Sequence, residues 1–592
     1  MSAQTQQQTP APAATAAVTT APAPTAAPGA TAPPGGPPSA VPPAGTPSAT
    51  PAPVLQPSAT PAVPSGATPA PPGVPAPPAP PGVPPPPAPP GLPPPPAPPG
   101  LPPPPAPTQP PIIVEPPNAG VSPGQTITLH VSSVLGTIAA TIANPALADL
   151  FVNQADRTVA VSGKALGTTT ITISDSRGLT RDVGLRVAYP AGSVADAATV
   201  RITGNPATQL FIKEQAALAA ARQSVAREGA AIIATPDGVN VPAPLGVDDV
   251  TTVDVPVIIQ GDGYFTAEGT THVRVENVAE PRIHPDSLLV SDFPETLRDP
   301  GVLFTANLSR TSASRFLYYH YNPPGQPDRR IVLKVENPSS QPALVQFISG
   351  AAGPGANEME VGHLSTQRFL VRLVQNEGTV ITIPANSVVN LVDQALPARS
   401  VVSNLMQLRE LEGAPLHLTL VAQNASDPDG APSSTALLGG DHPHARGEYQ
   451  IPEFSYDVTY DAASDDASVD IGHIPLPNLR QGEALAGDYG VLQQITVRMV
   501  NTSPRPARVA LYANPRGGRA TGTFLIDRVL VQAHAMAPFT SYKLREYTIP
   551  ANGYVSTTIV TMPEGGSSYP LRLDIGPDDG SVSPGAPGSP IY

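Results

Sequence analysis

The sequence predicts a mainly β protein: a disordered proline-rich N-terminal stalk, a small β domain, a small α+β module and two related Ig-like β-sandwiches. Three observations predict it. Residues 1–111 hold 44 of the 84 prolines and no charged, histidine or aromatic residue; the first charge is Glu115. From residue 112 onward, short runs alternate apolar and polar side chains between turn signals. Finally, two sequence landmarks recur late in the chain at offsets of 164 and 166 positions.

The stalk is predicted over 1–111. A segment so rich in proline and empty of aromatics cannot bury a core, and without charges it carries no acid–base chemistry. Within it a nonapeptide of the form PPGVPPPPA repeats four times over 71–106. Proline fixes φ and disfavours helix in the preceding residue, so the run predicts polyproline II. Its 36 residues would reach about 110 Å at about 3.1 Å each. Glycine recurs every ninth position, which excludes a collagen triple helix.

Residues 112–190 read as a small all-β domain. Thr126-Ile127-Thr128-Leu129-His130-Val131, Thr158-Val159-Ala160-Val161 and Thr170-Ile171-Thr172-Ile173 alternate, with turns at Ser122-Pro123-Gly124, Asn144-Pro145 and Ser176-Arg177-Gly178. The run from PGQTITLHV through TVAVSGKALGTTTITISD to GLTRDVGLRV resembles the N-terminal domain of pilus-assembly secretins, and also bacterial Ig-like domains. That resemblance implies an envelope setting and protein contacts.

Residues 191–283 predict an α+β module. Thr199–Thr203 reads as a strand, Ala207–Arg227 as a helix stopped by Gly229, and Ala230–Ile233, Val253–Ile259 and Thr271–Val278 as further strands.

The duplication defines the rest. Ile331-Val332-Leu333-Lys334-Val335-Glu336-Asn337 is echoed by Ile495-Thr496-Val497-Arg498-Met499-Val500-Asn501, and Ile383-Pro384-Ala385-Asn386 by Ile549-Pro550-Ala551-Asn552. Two copies of one sandwich, 284–440 and 441–578, account for this, leaving a tail over 579–592. The pair resembles an uncharacterised domain family known mainly from cyanobacterial exported proteins, through Ser287–Glu295, Ala398-Arg399-Ser400 and Gly487-Asp488-Tyr489-Gly490-Val491. That resemblance implies export and a fold, and no chemistry.

Composition excludes several functions. The net charge of −14 argues against nucleic acid as a partner. Without cysteine there are no disulfides, thiolate sites or thiol nucleophiles. No transmembrane stretch occurs, and Met1–Thr5 shows no readable signal peptide. No cofactor is expected.

Candidate sites are few. His442 and His444, with His473 and Asp465-Asp466, form the best metal candidate, since imidazoles two apart can share an ion. Asp427-Pro428-Asp429-Gly430 has part of a calcium loop and lacks its third ligand. In Tyr318-Tyr319-His320-Tyr321, strand alternation puts Tyr319 and Tyr321 on one face, a candidate binding surface for sugar or proline rings. Gly120-Val121-Ser122-Pro123-Gly124 fits a nucleophile elbow in spelling, but Pro123 has no N–H for an oxyanion.

The expectation is a non-catalytic cell-envelope or extracellular protein, meeting protein partners in a pilus or secretion assembly. The alternatives are a carbohydrate- or metal-binding surface module, with surface polysaccharide as the partner, and a hydrolase using paired carboxylates.

Overall fold

The computed structural model describes residues 110–310, 313–428, 435–464 and 466–581. The predicted stalk lies outside them except for its last two residues, as does all but the first three residues of the tail. The described residues are mainly β, with two α-helices. They fall into two compact units. One runs up to Ala191 and takes back Gly261–Phe265, whereas the other holds Gly192–Gln260 and the chain from Thr266 on.

The first unit is a two-sheet sandwich. One sheet orders Ile113–Glu115, Thr126–Ser132, Thr158–Gly163 and Ala148–Asn153; the other orders Asn118–Val121, Thr180–Val187, Gly167–Asp175 and Ile138–Ile142. Alternation turns Leu129, Val159, Val161, Ile171, Ile173 and Val183 inward, where all are fully buried. Each such side chain contributes about 1.5–3 kcal/mol of transfer free energy. Gln125 N–H donates to Ser122 O at 3.0 Å, and Gly124 adopts φ +80°. The G-x-S-x-G run is thus a tight turn between two strands. Phe265 lies against Gly120 beneath the Arg186 guanidinium, 5.2 Å from the ring centre, and Arg186 Nη2 donates to Tyr264 O.

The second unit begins with the predicted strand and helix. Helix α1 spans Gln209–Gln223; the Thr208 hydroxyl caps it by accepting from Phe211 N–H. Its buried face is mostly alanine (Ala216, Ala217, Ala220, Ala221), which lets it lie close on its sheet. It ends where Ser224 takes an extended ψ of 154° and its hydroxyl donates back to Ala220 O.

An 11-stranded sheet follows the order Ala231–Ile233, Val250–Gln260, Ala267–Asn277, Ala197–Thr203, Gly378–Ile383, Ala343–Ser349, Ser400–Glu412, Ala313–Asn322, Ser287–Ser291 and Arg446–Tyr449, with Ala352–Gly355 pairing beside Ser400–Glu412. It therefore runs without a break through residues on both sides of positions 283 and 440. A four-stranded sheet, Gly301–Leu308, Leu416–Asn424, Arg329–Asn337 and Ser387–Leu396, closes the first sandwich over Phe304, Phe316, Ile331 and Leu333. The second sandwich stacks Glu453–Asp461, Leu492–Asn501, Gly553–Thr561, Ala520–Ile526 and Val529–Met536 on Ala467–Ile471, Leu571–Pro577, Ala507–Pro515 and Tyr542–Ile549.

One element falls outside the duplicated pattern. Helix α2, Glu358–Gln375, stands between two strands of the first sandwich, where the sequence pattern predicts strands alone. It is well terminated. Asn357 caps it by accepting from Glu360 N–H, Glu358 and Glu360 lie in its first turn, and Asn376 closes it in the left-handed region at φ 56°. Its apolar side joins the two sandwiches: Phe369, Leu370 and Leu373 pack in one cluster with Leu317 and Leu405 of the first and Leu492, Leu525 and Met562 of the second. At Gly362 the helix backbone comes so near Gly565 that a Cβ there would sit 1.7 Å from the Gly565 carbonyl oxygen.

Candidate functional site

The sheet register assembles a polar cleft in the second unit. Strand Arg446–Tyr449 pairs antiparallel with Ser287–Ser291, Arg446 opposite Ser291, and Asp292 N–H donates to Ala445 O at 2.9 Å. His444 is thereby brought beside residues about 150 positions earlier in the chain. Its Nδ1 lies 3.5 Å from Asp292 and its Nε2 3.3 Å from Glu295. Arg446 fastens the turn from below, donating to the carbonyls of Phe293 (3.1 Å) and Leu438 (2.5 Å) with its guanidinium 4.9 Å from the Phe293 ring centre.

Above these residues opens a cleft of about 380 Å³, lined by Glu295, Arg298, Asp299, Asp441, His442 and His444 together with Gly439 and Gly440. Arg298 and Asp441 pair across it at 3.1 Å. The electrostatics are coupled. Asp292 hydrogen bonding and charge hold the His444 imidazole above the usual histidine range, against partial burial. Burial pushes the Asp292 carboxyl up to about 7 and Glu295 upward as well, with His444 pulling both back. A histidine whose imidazole is held above its usual range beside two carboxyl groups is a proton-binding arrangement.

The structure places the predicted site residues as follows. His442 and His444 share this cleft. His473 is exposed beyond strand Ala467–Ile471, near Asp470, whose carboxylate is lowered first by its hydrogen bond to Arg572 and further by the nearby charges of Arg572, His473 and Arg516. Among the described residues, no group of three or more His, Cys, Asp or Glu is arranged to hold a metal. Asp465, Asp429 and Gly430 lie outside the described residues; Asp427 accepts from Asn424 N–H and closes a turn.

The aromatic run lies on the central strand Ala313–Asn322 and alternates as predicted. Tyr318 and His320 stack on one side, rings 6.2 Å apart at 18°, while Tyr319 and Tyr321 meet Val361 and Leu364 of α2 on the other. Both sides are covered. Tyr318 and His320 are fully buried, Tyr319 is 4% exposed and Tyr321 is partly exposed. Tyr318 donates to Gln394 Oε1 at 2.6 Å, whereas the Tyr319 hydroxyl is buried without a partner. Burial pushes His320 down to about 4.

Nothing in the sequence pattern marks Asp292 and Glu295 as partners of His444. They occur in a segment that looks like a strand end and a turn, and their partner is remote in the chain.

Residues 119–188 match the family model described as the pilus formation protein N terminal region. No match is found among curated proteins. Among solved structures, domains 4 and 5 of the S-layer protein SbsC match at 27% identity with a TM-score of 0.12, over 13% of this chain and 50% of that one. SGBP-B from the mixed-linkage glucan utilization locus of Bacteroides ovatus matches at 12% identity over 49% of this chain and 72% of that chain, TM-score 0.14. The tandem Ig repeats of Dlar match at 9% over 28% and 98%, TM-score 0.12. At TM-scores of this size these likenesses carry no argument about what the chain does.

Proposed function

We propose that the chain is a non-catalytic component of the cell envelope that acts by protein–protein contact within a pilus or secretion assembly. The match of residues 119–188 to a pilus-formation domain carries this reading. Two features support it. The second unit joins its sandwiches through a shared apolar cluster around α2, as suits a part that transmits position. In the first unit, Phe151 is 71% exposed on strand Ala148–Asn153, which lies at the edge of its sheet, and edge strands are ready sites for partner contact.

The test combines fractionation with crosslinking in cells. A photoreactive residue in place of Phe151 is expected to capture a protein of the pilus or secretion machinery in the envelope fraction. Deletion of 112–191 together with 261–265 is expected to abolish that association. A protein confined to the cytoplasm would overturn the proposal.

A further inference from the structure

Of the ten histidines in the chain, four meet carboxylates at the boundary between the two sandwiches. His284 Nδ1 lies 2.5 Å from Glu453 at the start of a second-sandwich strand. His363, on α2, lies 3.0 Å from Glu564 on the loop after strand Gly553–Thr561, both side chains fully buried. His534, on strand Val529–Met536, lies 3.8 Å from Glu360 on α2. His444 fastens the connecting strand to Asp292 and Glu295. These contacts come from separate elements, and three of the four cross directly from one sandwich to the other.

We propose that this seam of histidine–carboxylate pairs makes the docking of the second sandwich on the first depend on protons, tighter near neutral pH and looser in alkaline medium.

The groups around the histidines are mostly acceptors and acids. His363 faces Glu564, Glu360, Gln532 and the ring of His534, 4.3 Å away, while Glu564 also accepts from the Thr521 hydroxyl. Burial lowers the His363 imidazole, but Glu564 outweighs it and holds it above the usual range near 6.5. His284 shares Glu453 with the buried Arg315, which is also near Arg282. His444 faces Asp292 and Glu295, with Arg298, Asp299, Asp441 and His442 around the cleft and Glu358 near Glu295.

The sign follows from linkage. A raised histidine contributes stability that is complete below its unfolded value and lost as pH rises through its folded value. A carboxyl raised by burial, as Asp292 is, favours the folded state while protonated and loses that advantage as it ionises. The Asp292 loss is spread between the ordinary carboxylate range and about 7, whereas the losses at His363 and His444 begin above the usual histidine value near 6.5. For each group, a tenfold gain in proton affinity on docking makes the docked-to-separated ratio about tenfold larger in the protonated protein than in the deprotonated one.

The chain lacks cysteine, so two introduced ones can report on the join. Val388 in the first sandwich and Tyr554 in the second are 57% and 60% exposed. In the full-length Val388→Cys, Tyr554→Cys protein labelled with a fluorescence donor and acceptor, the urea midpoint for loss of transfer is expected to fall between about pH 6.5 and about pH 9, a window set above the ordinary histidine value. His363→Gln is expected to remove most of that fall. His444→Gln, at a ring 39% exposed, is expected to reduce it. His272→Gln, whose partner Asp254 lies in the same hairpin, is expected to leave it intact. A midpoint that is flat or rises with pH would overturn the proposal, as would a fall of equal size in His444→Gln and the parent.

Discussion

Asn337 and Asn501, 164 positions apart in the chain, make the same hydrogen bonds at equivalent corners of the two sandwiches. The Asn337 amide donates to the carbonyls of Gln341, Ile383 and Pro384; the Asn501 amide donates to those of Arg505, Ile549 and Pro550. Each Oδ1 accepts the N–H two residues on, of Ser339 or Ser503. Each corner is closed by a left-handed asparagine, Asn386 at φ 49° and Asn552 at φ 51°, donating to the carbonyl of that serine. The two copies inherited a joint as well as a strand pattern.

Removing either amide strands several buried carbonyls, each costly to leave unpaired. Asn337→Ala and Asn501→Ala are each expected to lose about 2–4 kcal/mol in urea unfolding. Asn→Asp, which keeps the acceptor and removes the donor, is expected to cost at least as much. A loss under about 0.5 kcal/mol would mean that the corner does not depend on the amide.

Gly362 is required by proximity. Since a Cβ there would meet the Gly565 carbonyl oxygen at 1.7 Å, Gly362→Ala must push α2 from the second sandwich. The expected cost is about 3 kcal/mol or more, seen as separate unfolding transitions for the two sandwiches in calorimetry.

His320 acts in the acid range, opposite to the seam. Its folded value near 4 lies below the unfolded value near 6.5, so its stability is complete above the unfolded value and lost as pH falls toward 4. The loss amounts to about 3 kcal/mol. Urea midpoints measured between those pH values are expected to fall on acidification, and His320→Gln is expected to flatten the profile.

Tyr318 and Tyr319 make a paired test. Tyr318→Phe loses the bond to Gln394 and is expected to cost about 1 kcal/mol. Tyr319→Phe removes a buried hydroxyl that bonds nothing, so stability is expected to hold or rise slightly. Equal losses in the two variants would show that the Tyr319 hydroxyl is satisfied in solution.

Much of the architecture is legible because strand alternation is written in adjacent residues. Val159, Val161, Ile171 and Ile173 declare their inward face without any tertiary information. The duplication is legible for a similar reason, since Asn337 and Asn501 sit in matching local contexts. Helix α2 is hidden by its own composition: Val361, Thr366, Val371 and Val374 are β-branched, and its ends are marked by asparagines that serve equally in turns. The site is hidden by distance. His444 stands out in the sequence because histidines are few, but nothing local marks Asp292 as its partner or Glu564 as that of His363, 201 positions away.

The return of Gly261–Phe265 to the first unit bears on how such a chain could be assembled by recombination. Because the chain passes between the units at 191, at 260 and again at 265, no single crossover point transplants the first unit whole. A fragment cut after Ala191 would leave behind Phe265, which covers Gly120 and lies beneath Arg186. A gene fusion that borrowed the unit would therefore have to bring Gly261–Phe265 along.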